Sequence, residues 1–316
     1  MNGNLSSGNL WVFYKCYLGP KTADEFLKFC MKALVLKLTT DNIISAWFFI
    51  RYTDPEFHLR IRFKLKDSSK KSQLDHDFNN AILPWLKEDR IWKTRTDIYV
   101  RETERYGKHN MELSEELFNH DSNAVLEYLN IIHVTEDENY RWLFAVRLIK
   151  GIIDDFNLDI NDQEKLISGL KDAYHSEFGM NRLFKRQLDR KYRMYKDQLE
   201  NTIKGNEAFI NKISAIEKIR SNNIQTVAKK IDKLYIKGMI EIPLDRLLAS
   251  YIHMTMNRVF RTRLRLHELV VYDFLSRFLI SEIAKNKNRN VLITGTNPGA
   301  CRRQSGFGTS ATSPGP

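Results

Sequence analysis

Residues 47–63, WFFIRYTDPEFHLRIRF, constrain this chain more tightly than any other stretch. The apolar run Trp47 to Ile50 ends at Arg51, and Thr53-Asp54-Pro55 then gives a turn signal. Beyond the turn the residues alternate strictly. His58, Arg60, Arg62, Lys64 and Lys66 fall on one side, and Leu59, Ile61, Phe63 and Leu65 on the other. A period of two predicts a strand with its apolar face on a core. The other face would carry a row of cations headed by a histidine. Such a row is either a solvated strand face or an anion site. Guanidinium groups fork bidentately onto carboxylate or phosphate, which keeps the second reading open.

The surrounding pattern predicts an α+β unit. Residues 10–18, 46–52, 58–66 and 96–104 read as extended, and 22–36 and 74–87 as helical. That order predicts a mostly antiparallel sheet with helices over residues 10–110. From 111 to 290 the periodicity is almost wholly helical, over 111–118, 122–132, 139–155, 162–178 and 244–259. The polar, Lys- and Arg-rich stretch 181–237 predicts a helical hairpin broken near Gly205 or Asn222, its cations either solvated or touching RNA or an acidic peptide. Residues 10–290 are expected to form one domain. A flexible N-terminus (1–9) and a disordered Gly/Ser/Thr/Pro-rich tail (291–316) flank it.

Bulk numbers exclude classes more than they select one. The 316 residues carry a formal net charge of +11, which suits nucleic acid, an acidic peptide or an acidic substrate alike. Cysteine is limited to Cys16, Cys30 and Cys301, without a CxxC pair or zinc spacing, so a reduced, metal-free, cytoplasmic protein is expected. The N-terminus lacks signal-peptide character and no apolar run reaches membrane-spanning length. Walker A, GxGxxG, GxSxG and HExxH motifs are absent.

Two further segments hold chemistry-bearing residues. In YVRETERYG, an extended backbone would put Tyr99, Arg101, Thr103 and Arg105 on one face. Beside the 58–66 strand, Arg60, Arg62, Arg101 and Arg105 would then make one cationic pocket. Glu102 and Glu104 would serve as neutralising neighbours. In the helix expected after Pro243, Arg246, Ser250, His253 and Asn257 follow a four-three-four spacing and stack on one side. A polar stripe on an apolar helix needs partners. His253 is either a structural histidine or an acid/base group facing the basic sheet.

Together these three segments, WFFIRYTDPEFHLRIRF, YVRETERYG followed by MELSEELFNHDS, and SYIHMTMNRVF, resemble the C-terminal domain of class I lantibiotic dehydratases. That domain also occurs alone as the thiopeptide-type bacteriocin biosynthesis protein. The resemblance runs from about residue 11 to about 283. It departs at Lys108, where the family often carries a second glycine, a difference confined to the local turn.

The resemblance implies modification of a ribosomal peptide. In full dehydratases an N-terminal domain esterifies Ser or Thr with glutamate from glutamyl-tRNA, and the C-terminal domain eliminates glutamate to leave dehydroalanine or dehydrobutyrine. By this likeness the chain is a lyase. Its expected partners are a precursor peptide with its leader and a separate glutamyl-tRNA-dependent glutamylating protein; a homodimer stays open. By the family pattern His253 is the acid or base and Arg60 and Arg101 the functional arginines. Arg51, Arg62, Arg105, Tyr99 and Asn257 are the neighbouring substrate-binding candidates. No cofactor is required, because the leaving group arrives activated. Two other readings stay open: a formal [4+2] pyridine synthase that joins two dehydroalanines and expels the leader, and a non-catalytic subunit that binds leader peptide or tRNA.

Overall fold

A computed structural model describes residues 10–132, 137–205 and 208–294. The expected flexible N-terminus lies outside the described residues. So does the expected tail, except for 291–294, which finish the last helix.

Strand β1 (Trp11–Leu18) leads into α1 (Pro20–Phe26), which runs through a π turn at Leu27–Met31 into α2 (Lys32–Thr40). Strands β2 (Ile44–Tyr52) and β3 (His58–Leu65), helix α3 (Lys71–Lys87) and strand β4 (Ile91–Asp97) follow. The sheet is antiparallel in the order β2-β3-β1-β4. The alternation read from the sequence is realised in β3. Leu59, Ile61 and Phe63 are buried with Tyr14, Cys16, Trp47 and Phe49, and Tyr14 stacks on Phe78 of α3 with centroids 3.9 Å apart. Burial pushes the Cys30 thiol up to about 12.

The helical half comprises α4 (Thr103–Tyr106), α5 (Met111–Ile131), α6 (Asp137–Asp155), α7 (Ile160–Glu177), α8 (Arg182–Lys204), α9 (Ala208–Ile236), α10 (Leu244–Val259) and α11 (Leu264–Thr294). The α+β class is therefore as the sequence predicts. The helices expected at 111–118 and 122–132 are one continuous element, α5. The basic hairpin breaks at Gly205, which caps α8 in the left-handed conformation (φ 78°), while Asn222 lies inside α9. Arg220 of α9 is buried, donating its Nε–H to Asp121 at 2.8 Å.

The strand expected at 96–104 needs correction. The fourth strand occupies Ile91–Asp97 and pairs with β1, not β3. The chain then turns, and Thr103–Tyr106 form a short helix closed by Gly107 at φ 83°. Arg101 and Arg105 therefore do not share a strand face.

Strand β2 is an edge, and helices close it. Its alternate N–H groups point outward. Trp47 donates to Asn119 Oδ1 (3.1 Å), Phe49 to Ser122 Oγ (3.3 Å) and Arg51 to Asn257 Oδ1 (2.9 Å). Edge donors that would otherwise template another chain are thereby satisfied by α5 and α10. Beneath this seam Asp24 of α1 receives Arg51 Nη2 at 2.6 Å and Arg141 Nη2 at 2.7 Å, with Arg261 Nε at 3.3 Å. Burial alone would raise the Asp24 carboxyl. The guanidinium groups outweigh it and hold the carboxyl below its ordinary value. Among the described residues no helix is long and apolar enough to cross a membrane.

Candidate active site

The cationic face of β3 is not a plain solvated row. Arg62 is buried, with its guanidinium carbon 4.6 Å from the Phe13 ring centre, 4.6 Å from Tyr99 and 5.1 Å from Phe48. Among the described residues no carboxylate forms an ion pair with it, and its Nε is buried without a hydrogen-bond partner. Burial lowers its pKa to about 10. Aromatic quadrupoles offset part of the cost of desolvating this cation, and an incoming anion would offset more.

Arg60, half-buried, stands one register step away. It lies 3.4 Å over the Tyr52 ring and donates its Nε–H to His58 Nε2 at 3.2 Å. The buried His58 donates Nδ1–H to the Glu56 carbonyl at 2.8 Å. One ring nitrogen gives and the other accepts, so His58 is neutral, in keeping with the burial that lowers its pKa. Its part is to aim Arg60.

Residues 98–107 cover this face. Tyr99 is buried against Trp11, Phe48 and Arg62. Arg101 is bound bidentately by the buried Glu115 of α5, at 2.8 and 2.7 Å, and Glu115 also accepts from Trp11 Nε1 at 3.1 Å. Its charge is thus already matched. Arg105 points elsewhere, donating Nε–H to Ser250 Oγ of α10 at 3.1 Å, with Glu102 at 3.5 Å. Tyr106 ties the turn down by stacking on Tyr251, while Asn110 donates to Tyr251 Oη at 2.9 Å.

On α10 the predicted polar stripe finds its partners. Ser250 meets Arg105. Asn257 accepts from the Arg51 N–H and donates to the Arg51 carbonyl at 2.8 Å. His253 lies between these two fastenings, partly exposed, with Nδ1 2.6 Å from Oε1 of the buried Glu268 on α11. Glu268 also accepts from Tyr272 Oη at 3.1 Å. The carboxylate fixes the tautomer with hydrogen on Nδ1 and leaves Nε2 as the basic nitrogen. Arg246, at the start of the stripe, is exposed.

The structure thus sets Arg60 and Arg62 on one face of β3 with Tyr99 against Arg62, and fastens Arg105 to Ser250, one helical turn before His253 on α10. It sets the guanidinium groups of Arg51 and Arg101 into ion pairs of the framework. Glu115 and Glu268, which sequence reasoning passed over, fix Arg101 and His253. Neither has a local signature, since each partner comes from a different helix. Cavities of 410 Å³, lined by His175, Asp273 and Arg277 among others, and of 380 Å³, lined by Arg147, Asp155 and Arg220 among others, include none of these residues. Among the described residues no three of His, Cys, Asp and Glu converge as a metal-binding group.

The model of the family described as "Lantibiotic biosynthesis dehydratase C-term" matches residues 11–279. The chain belongs to this family. Against the nisin biosynthesis protein NisB of Lactococcus lactis subsp. lactis it is 26% identical over 283 residues, covering 87% of this chain and 26% of NisB. The chain thus spans about a quarter of the length of this curated relative. Its fold is shared with MibB, a tRNA-dependent lantibiotic dehydratase from Microbispora sp. 107891, at a TM-score of 0.69 and 18% identity, over 92% of this chain and 29% of that one. It is also shared with TbtD, the pyridine synthase from thiomuracin biosynthesis, at a TM-score of 0.62 and 9% identity, over 86% of this chain and 98% of that one. The lantibiotic dehydratase C-terminal match includes Arg60, Arg62, Tyr99, Arg105, His253 and Glu268.

Proposed function

We propose that this chain is a lyase acting in the cytoplasm. It would eliminate glutamate from glutamylated Ser or Thr of a ribosomal precursor peptide, leaving dehydroalanine or dehydrobutyrine. The observation that carries the reading is Arg62, a buried cation that no carboxylate among the described residues pairs with, beside a half-buried Arg60, in a chain whose α10 also carries a carboxylate-held histidine. Such a face suits an anionic leaving group next to a base.

In this reaction His253 Nε2 takes the α-proton of the glutamylated residue. The electron pair passes through an enolate to form the Cα=Cβ double bond as the Cβ–O bond breaks, and the electrons of that bond leave on the α-carboxylate of glutamate, whose γ-carboxylate is free throughout. Glu268 stabilises the imidazolium that forms on His253 without accepting its proton. Arg60 and Arg62 bind the carboxylates of the departing glutamate, and Arg105 faces the charge that develops as the ester bond breaks. Arg101 acts through Glu115, and Arg51 through Asn257, as positioning residues. The chemistry asks for no cofactor, because a glutamyl-tRNA-dependent partner forms the ester beforehand.

The test is mass spectrometry of a leader-bearing peptide with glutamyl-Ser and glutamyl-Thr esters, mixed with the purified chain. Free glutamate and dehydroamino acids are expected; intact esters would refute the reading. A second reading, formal [4+2] pyridine formation, draws on the fold shared with TbtD. A peptide bearing two dehydroalanines discriminates, since ring formation with leader loss is expected only of a cyclase.

A further inference from the structure

The two edges of the sheet are finished differently. On β2, side chains from α5 and α10 meet the outward N–H groups. On β4, at the other edge, no hydrogen bond among the described residues meets the outer side of Ile91–Asp97. Thr94, Arg95, Thr96 and Asp97 are exposed, Trp92 is 53% exposed, and Ile98 and Val100 just beyond the strand are 74% and 78% exposed. Two apolar patches therefore bracket an open seven-residue strand.

The charge along this edge is equally unbalanced. Arg95 pairs in register with Lys15, which pairs on its other side with Arg60; Lys93 pairs with Tyr17, which pairs with His58. Like charges directly opposite one another on a sheet repel. Asp97, bonded to Lys15, is the carboxylate that answers them. The charges, and the register shift at Tyr17/Leu18, discourage a second copy of the same strand from docking. They favour a strand of opposite sign.

We infer that an extended acidic segment of the peptide substrate adds to β4 as a fifth strand. Its alternate carboxylates lie opposite Lys93 and Arg95, and its apolar residues cover Trp92, Ile98 and Val100. The cationic row then continues from the docked strand through Arg95 and Lys15 to Arg60. That the docked strand belongs to the substrate rests on the reading above. Strand addition itself does not, so the experiment measures binding and not turnover.

The probe is a short fluorescein-labelled peptide of alternating glutamate and valine, titrated into the full chain and followed by anisotropy and amide hydrogen exchange. Saturable binding is expected, with slowed exchange over Ile91–Asp97 and about tenfold or greater weakening in the Lys93→Glu, Arg95→Glu double variant and at high salt. The same peptide N-methylated at every amide should bind at least about tenfold more weakly. Circular dichroism verifies that the double variant is folded. Four results would overturn the inference: no saturable binding, equal binding by the double variant, equal binding of the N-methylated peptide, or slow exchange of the outward-facing amides of 91–97, those not bonded to β1, in the free chain. In the last case, dependence on protein concentration would identify a second copy as the occupant, and independence a segment of the same chain.

Discussion

Asn257 holds Arg51 by both backbone polar groups, accepting from its N–H at 2.9 Å and donating to its carbonyl at 2.8 Å. This amide clamp fastens α10 to the edge of the sheet, one turn of helix beyond His253. Asn257→Ala should cost about 2 kcal/mol, since two edge groups lose their partners. It should also lower kcat, because His253 loses its register with the cationic face. Urea unfolding and single-turnover kinetics verify both. A variant as stable and active as the parent would contradict the clamp.

Arg62 is a case where function opposes stability. A buried guanidinium without an ion pair is expensive, and three rings already shape an apolar slot around it. Arg62→Met should leave the midpoint of thermal unfolding unchanged or raise it by a few degrees, while glutamate release falls by about two orders of magnitude or more. A strongly destabilised Arg62→Met chain would mean that the cation is a structural element.

Arg101 and Arg105 should separate cleanly. Removing Arg101 leaves the Glu115 carboxylate buried with only neutral donors, the Trp11 indole and the Tyr99 hydroxyl, so Arg101→Ala should cost about 3–5 kcal/mol. Arg105→Ala removes a half-buried group bonded to Ser250 and should leave the unfolding free energy within about 1 kcal/mol of the parent while slowing turnover. Denaturant titration of both, with activity measured well below the transition, checks the split. The reverse pattern would exchange their roles.

Much of this arrangement was legible in the sequence, and the parts that were not have a common cause. The β3 alternation and the α10 stripe came through because a period of two or of three to four residues records which side meets a core. β4 escaped notice because both its faces are largely exposed and Ile91-Trp92-Lys93-Thr94-Arg95-Thr96 therefore carries no apolar period. The helix at Thr103–Tyr106 had one local signal, Gly107, whose positive φ closes the turn. The ion pairs of Arg51 and Arg101 could not be read at all. Asp24 and Glu115 are brought to them by packing, and nothing in a neighbouring residue announces a partner 27 or 14 positions away.

Acid should weaken the fold through His58. Burial holds its folded-state pKa below the ordinary value, whereas in the unfolded chain it titrates near about 6.5. Below that pH the unfolded state binds more protons, so stability is fully present at pH above about 6.5 and falls as pH drops through it, until the folded-state pKa is passed. His120, lowered by burial in the same way, adds to the slope. Comparing unfolding midpoints at about pH 7.5 and about pH 5.5 should show a smaller loss for His58→Gln than for the parent. Equal losses would remove His58 from the account.

The central claim is that His253, held by Glu268, takes the α-proton that lets glutamate leave. The most direct measurement is the rate of glutamate release from a peptide glutamylated at a single serine, for the parent chain and for His253→Gln. The account predicts one glutamate per dehydroalanine from the parent and an intact ester with His253→Gln, whose fold is verified by circular dichroism. Release at the parental rate by His253→Gln, or none from the parent, would contradict it.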